Sequence, residues 1–119
     1  MQQASSHISR ARLDEIGMGD PEFTIELIDM MLEDGQKRVE EMQQALAEHR
    51  STDVGRIAHS LKGACLNMGA LDLASLCASI DESVRKLNAT LDSSVVRQVA
   101  EEFRAVSKEL VQIKSELAA

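Results

Sequence analysis

Apolar residues recur every three or four positions along most of this chain, the period of an α-helix buried on one side. The last run is the clearest: Val95, Val99, Phe103, Val106, Leu110, Ile113 and Leu117 alternate steps of four and three almost without error and form one stripe. An earlier run, Phe23, Leu27, Met31, Val39, Met42 and Leu46, predicts a long helix ending near His49 and Arg50. Asp20-Pro21-Glu22 reads as its N-cap, its first helical residue and an acidic first turn. Two shorter helices are expected between these runs. The first is capped by Ser51 or Thr52 and ends at Met68 before Gly69; the second is capped by Asp72 and carries Leu73, Cys77, Ile80, Val84 and Leu87. A break at Asn88-Ala89-Thr90 leads to Asp92, the expected cap of the last helix. A short leading helix is predicted from Ser9 to Ile16, stopped by Gly17.

Four long amphipathic helices with short connections fold most simply as an antiparallel up-down four-helix bundle. The expected fold is therefore all-α, one domain over residues 1–119 with its core bundle at about 20–117, and the short N-terminal helix covers one end. Composition agrees. Aromatic residues are 2% of the chain, so aliphatic and Met side chains must do the packing, and the single proline, Pro21, leaves the rest free for helices.

Charge narrows the partners. A net charge of −7 with no Trp or Tyr opposes phosphate backbones and supplies almost no surface for stacking bases, so no nucleic-acid partner is expected. An acidic membrane surface is disfavoured for the same reason. No apolar run approaches the roughly 20 residues that span a bilayer, and Met1 to Ser6 lacks a signal-peptide pattern, so a cytoplasmic location is expected. Cys65 and Cys77 could be a disulfide, metal ligands or core thiols; both fall on apolar helix positions without zinc-site spacing and are read as reduced core thiols.

Candidate chemistry concentrates in the third helix, at Ala58-His59-Ser60-Leu61-Lys62-Gly63. At about 100° per residue, Val54, Ile57, Leu61, Ala64, Cys65 and Met68 gather on the side opposite His59. Gly55, Arg56, Lys62, Gly63 and Leu66 fall within about 60° of it. His59 therefore points away from the core. A glycine inside a helix costs ~1 kcal/mol relative to alanine, and Gly55 and Gly63 each lie one turn from His59, which reads as steric clearance on both sides. Arg56 and Lys62 supply positive charge suited to a phosphoryl group or carboxylate. Leu66, apolar on a wet face, reads as a docking rim. His7, near the start, and His49, at a helix end, read as simply solvated.

Other chemistries fit poorly. The chain has no paired Glu-x-x-His motif for a di-iron bundle, no glycine-rich phosphate loop for ATP and no partnered nucleophile for hydrolysis. Met30, Met31, Met42 and Met68 read as core filler, and no metal site is expected.

His59-Ser60-Leu61-Lys62-Gly63 followed by Gly69-Ala70 resembles the signature of histidine-containing phosphotransfer (HPt) domains. The likeness extends upstream to the Phe23-to-Met31 segment and downstream to Leu73-Ala74-Ser75-Leu76-Cys77. The resemblance implies a phosphocarrier in a multistep two-component phosphorelay. His59 would accept a phosphoryl group from a receiver aspartate, through the Nε2 nitrogen farther from the backbone, and pass it to another receiver. It further implies that Lys62 supports the phosphoryl oxygens and that Gly63 leaves room for the partner. Arg85 stands where some members place an arginine near the site, and Gly55, Arg56 and Leu66 join it as expected docking residues. Partners would be response-regulator receiver domains, that of a hybrid sensor kinase among the candidates, and the chain itself is expected to be a monomer. No cofactor is expected on this chain, Mg²⁺ being carried by the receiver, and no autonomous kinase activity is expected.

The sequence departs from the family pattern at Asp81, where members often carry a carboxylate-rich or amide-bearing fourth helix, and at Ala64-Cys65, where small hydroxyl residues are common. The phosphoacceptor domain of a sensor kinase fits less well: Ser60 follows the histidine in place of an acid, and no proline follows Pro21. The alternative of another class is a helical adaptor that docks receiver-like partners without phosphotransfer.

Overall fold

The computed structural model describes residues 7–87 and 93–119. Among these described residues five α-helices occur in the order α1 (Arg10–Ile16), α2 (Pro21–Ala47), α3 (Ser51–Met68), α4 (Leu71–Glu82) and α5 (Ser93–Ala118), and a π-helical turn, Ser83–Leu87, continues α4. There is no strand among the described residues. The helix α2 packs on α3 and α5, and α4 packs on α3 and α5, which closes a four-helix bundle. The short α1 lies against α3 and α2. The expected fold class is the one observed.

Helix ends follow local chemistry in two cases and tertiary constraint in two others. Ser9 caps α1 by accepting from Arg12 N, and Asp20 caps α2 by accepting from Glu22 N and Phe23 N, as the sequence predicts. The predicted caps of α3 and α4 are corrected. Neither Ser51 nor Thr52 caps α3; its N-cap is Arg50, whose side chain bonds no helix amide and instead pairs with Glu48 at 2.8 Å and Asp53 at 2.6 Å. The turn before it passes through His49 at φ +60°, so the helix is already under way at Ser51. Asp72 does not cap α4 either. Gly69, at φ +80°, ends α3, and Ala70 N donates to Cys65 O at 2.8 Å while Ala70 O accepts from Ala74 N at 3.0 Å. One helix therefore stops and the next begins within two residues, leaving Asp72 inside the first turn. The predicted break at Asn88 to Thr90 and the cap at Asp92 lie outside the described residues.

The core is aliphatic, built around Leu13, Ile28, Met42, Leu61, Leu73, Ile80 and Leu110, each fully buried. Its phase differs from the predicted stripes in places. In α5, Val96 is buried and Val95 only half-buried. In α2, Thr24, Ile28, Met31, Gly35, Val39, Met42 and Ala45 are buried, while Leu27 and Leu46 sit at the margin and Phe23 is exposed. Gly35 belongs in this row because a Cβ there would stand 2.4 Å from the Phe103 ring: α5 inserts its aromatic side chain where α2 has none. Thr24 is tolerated in the core because its hydroxyl donates to Asp20 O at 2.8 Å.

The segment just before α1, His7 to Ser9, is tied down more firmly than its sequence implies. His7 Nδ1 pairs with Glu102 at 2.7 Å, His7 N donates to Glu109 at 2.8 Å and Ser9 N to Gly69 O at 2.8 Å. His7 is thus engaged by α5 rather than solvated, whereas His49 is exposed. Cys65 and Cys77 are free and buried, facing each other across α3 and α4; the hydrogen bond between the two thiols, reinforced by burial, pushes the Cys65 thiol far above its ordinary range.

Candidate functional site

Packing one side of α3 against the bundle leaves His59 on the opposite side, its side chain 63% exposed. The ring is nonetheless held. Nδ1 lies 2.9 Å from Asp81 Oδ2, and the other carboxylate oxygen, Oδ1, accepts from Arg85 Nε at 3.1 Å. Asp81 sits on α4 with its side chain only 5% exposed. The hydrogen bond from His59, with the charges of Arg85 and Lys62 behind it, holds the Asp81 carboxyl below the usual carboxylate range against the opposing pull of burial. An ionised carboxylate only accepts, so His59 must donate Nδ1–H to it, and the lone pair of the neutral ring then resides on Nε2. The structure thereby holds an imidazole fixed at Nδ1 by a buried carboxylate while most of its side chain stays exposed.

Charged and small side chains surround this ring. His59, Asp81, Arg85, Arg56, Gly55 and Val84 wall a crevice of about 410 Å³ between α3 and the end of α4. Arg56 is exposed and paired with Asp53 at 3.4 Å. Lys62 lies on the other flank, over a shallow groove shared with Leu66, Leu71, Ala74 and Ser75. Leu66 and Leu71 are exposed apolar residues, 45% and 51% accessible, beside that groove. Among the described residues, no group of three or more His, Cys, Asp or Glu side chains stands where it could hold a metal ion, and no helix is long and apolar enough to cross a membrane.

The profile of the Hpt domain family matches residues 26–114, a span that runs from α2 into α5 and contains every residue of this site. The chain belongs to the Hpt domain family. It is similar to histidine-containing phosphotransfer protein 2 of Arabidopsis thaliana, at 30% identity over 95 residues, covering 77% of this chain and 61% of that protein. The chain thus spans less than two thirds of that relative. In structure it resembles histidine-containing phosphotransfer protein B (HptB) from Pseudomonas aeruginosa PAO1, with a TM-score of 0.86 at 25% identity, covering 95% of this chain and 98% of that one. The α1 helix precedes the span that matches the Hpt profile.

The geometry of this Hpt domain gathers most of the residues singled out from sequence. His59, Lys62, Gly63 and Leu66 share the open face of α3, Arg56 flanks it, and Arg85 reaches it from the π-helical turn after α4. Gly55 is the correction. It is buried, and a Cβ there would meet Val84 Cβ and Cγ1 at 2.9 Å, so this glycine lets the end of α4 approach α3 rather than clearing the histidine for a partner. Gly63 is the reverse: a Cβ would meet nothing within 4 Å. The two substitutions should therefore have opposite signs. Gly55→Ala is expected to lower stability by about 1 kcal/mol, because overpacking outweighs the gain in helix propensity. Gly63→Ala should raise it by about 1 kcal/mol. Urea midpoints of the two variants test this, and a stabilised Gly55→Ala would refute the packing role.

Asp81 joins the site although the sequence marks it only as a departure from the family pattern. Its signal was present: an acid directly after Ile80 in the apolar stripe of α4, four residues before an arginine. A carboxylate at a buried position needs partners, and His59 and Arg85 are those partners.

Proposed function

We propose that this chain is a histidine phosphotransfer protein of a multistep two-component phosphorelay, accepting a phosphoryl group on His59 from one receiver-domain aspartate and passing it to another. The observation that carries this reading is the His59 ring itself, held at Nδ1 by Asp81 and open to solvent at its far end. In the forward step the Nε2 lone pair forms an N–P bond as the P–O bond of the aspartyl phosphate breaks, returning a carboxylate to the receiver. Such transfer depends on positioning and on charge stabilisation. Lys62 supplies positive charge to the phosphoryl oxygens, Gly63 leaves space for the receiver loops, and Leu66, Arg56 and Arg85 form the docking rim. Mg²⁺ belongs to the receiver. The chain acts as a carrier without kinase activity of its own, as a monomer, in the cytoplasm where receiver domains operate.

The test is incubation with a receiver charged by acetyl phosphate in the presence of Mg²⁺. Acid-labile, base-stable label should appear on this chain. Receiver binding with no label would favour the adaptor reading instead. Lys62 adds a graded check. Lys62→Ala should slow transfer about tenfold, equivalent to ~1.4 kcal/mol of transition-state support, and leave the unfolding midpoint unchanged. Transfer at the wild-type rate would remove Lys62 from the mechanism.

A further inference from the structure

We propose that Asp81 is a positioning residue that keeps the proton on Nδ1 of His59 while the ring carries its phosphoryl group, so that the ring stays ready to leave as neutral imidazole. This deepens the phosphocarrier reading and rests on it. When Nε2 gains the phosphoryl group, it commits its lone pair to the N–P bond; the ring retains Nδ1–H and becomes a cation. Onward transfer breaks that bond, returns the electron pair to Nε2 and forms a P–O bond on the acceptor carboxylate. If Nδ1–H is still in place, the departing group is a neutral imidazole. If that proton has been lost to water, the departing group is an imidazolate anion, a far poorer one. The proton on Nδ1 therefore decides whether the stored group can move.

The surroundings favour its retention. Asp81 Oδ2 lies 2.9 Å from Nδ1, and a negative charge at that distance stabilises the cationic ring over the neutral one. The two carboxylate oxygens divide the work: Oδ2 faces His59, and Oδ1 accepts from Arg85 Nε at 3.1 Å. Arg85 thereby opposes transfer of the ring proton onto Asp81 itself. The cations near the ring act the other way, and each is placed so that its effect is limited. Arg85, from the π-helical turn, spends its charge on Asp81; Arg56, on α3, is paired with Asp53 at 3.4 Å. Lys62, also on α3, faces the dianionic phosphoryl group once it is bound. The carboxylate is 95% shielded, so water competes weakly for Oδ2. Its affinity for protons is already lowered in the unphosphorylated protein. A neutral amide at position 81 could orient the ring by accepting from Nδ1–H, but it would add no charge.

The experiment separates charge from orientation. His59 is phosphorylated with phosphoramidate, which needs no receiver, and the ring is followed by NMR as pH rises, its signals assigned by comparison with His59→Gln. In the wild-type chain the phosphorylated ring should hold its proton to a higher pH than free Nε2-phosphohistidine in the same buffer. Asp81→Asn should lose that advantage, and Asp81→Glu should recover part of it. In transfer to a receiver, Asp81→Asn should fail first on the alkaline side while acid-side rates stay near wild type. A wild-type ring that deprotonates at or below the pH of the free compound overturns the proposal, and this comparison stands even if Asp81→Asn does not fold. An unchanged titration in folded Asp81→Asn also overturns it. Receivers that never charge His59 would strike the phosphocarrier reading alone, because the chemically phosphorylated ring titrates regardless.

Discussion

His59→Gln is expected to reduce phosphoryl uptake from a charged receiver to background while the protein stays folded. Glutamine has similar reach and is a tolerable helix residue, but its amide nitrogen has no nucleophilic lone pair. Covalent transfer needs that lone pair, and nothing nearby can substitute: Lys62 and Arg56 are cations, and Asp81 is buried with both oxygens occupied. The structural cost should be small, within about 1 kcal/mol, since the imidazole is largely exposed and Asp81 keeps its Arg85 partner. Circular dichroism and a urea titration should overlay the wild type. Retained label on a folded His59→Gln chain would move the acceptor elsewhere.

Gly63→Leu should give the second largest effect, and it should separate stability from activity. Nothing stands within 4 Å of a Cβ at this position, so a leucine side chain would project into solvent one turn beyond His59. Helix propensity then favours the variant by about 0.8 kcal/mol. A receiver aspartyl phosphate must nevertheless bring its phosphorus to bonding distance of Nε2, and displacement by as little as 1 Å can cost roughly 10²-fold in rate. A drop of about a hundredfold in transfer, together with a higher urea midpoint, is the expected pair of results. Undiminished transfer would show that the partner does not approach over Gly63.

The contrast between Gly55 and Gly63 shows how far a single helix can be read. Projected on α3, the two glycines look equivalent, about 40° to either side of His59. The end of α4 closes over the Gly55 side, where Val84 fills the space, and leaves the Gly63 side open. The identity of the neighbour covering one side is a tertiary fact that periodicity does not carry. The same limit explains Gly35, whose burial depends on Phe103 of α5, 68 positions away by number (103 − 35). The one-residue shift from Val95 to Val96 at the start of α5 is of another kind, because Val96 continues the alternation of three and four that the rest of the stripe keeps. Where the chemistry is local, the sequence suffices: Ser9 and Asp20 cap their helices with their own side chains, and the outward direction of His59 follows from α3 alone. The caps of α3 and α4 are not legible in this way, because neighbouring turns, not the nearest polar residue, set those boundaries. Asp81 was legible only as an oddity until the ring of His59 was placed beside it.

The most direct measurement is to find which atom carries the phosphoryl group, and whether it moves on. After brief exposure to an acetyl-phosphate-charged receiver, the chain is mapped by mass spectrometry under alkaline conditions and then chased with a second, uncharged receiver. The account predicts modification at His59, through Nε2, that disappears as the second receiver gains it. Modification at His7 or His49 instead, or a phosphoryl group on His59 that no receiver can remove, would contradict it.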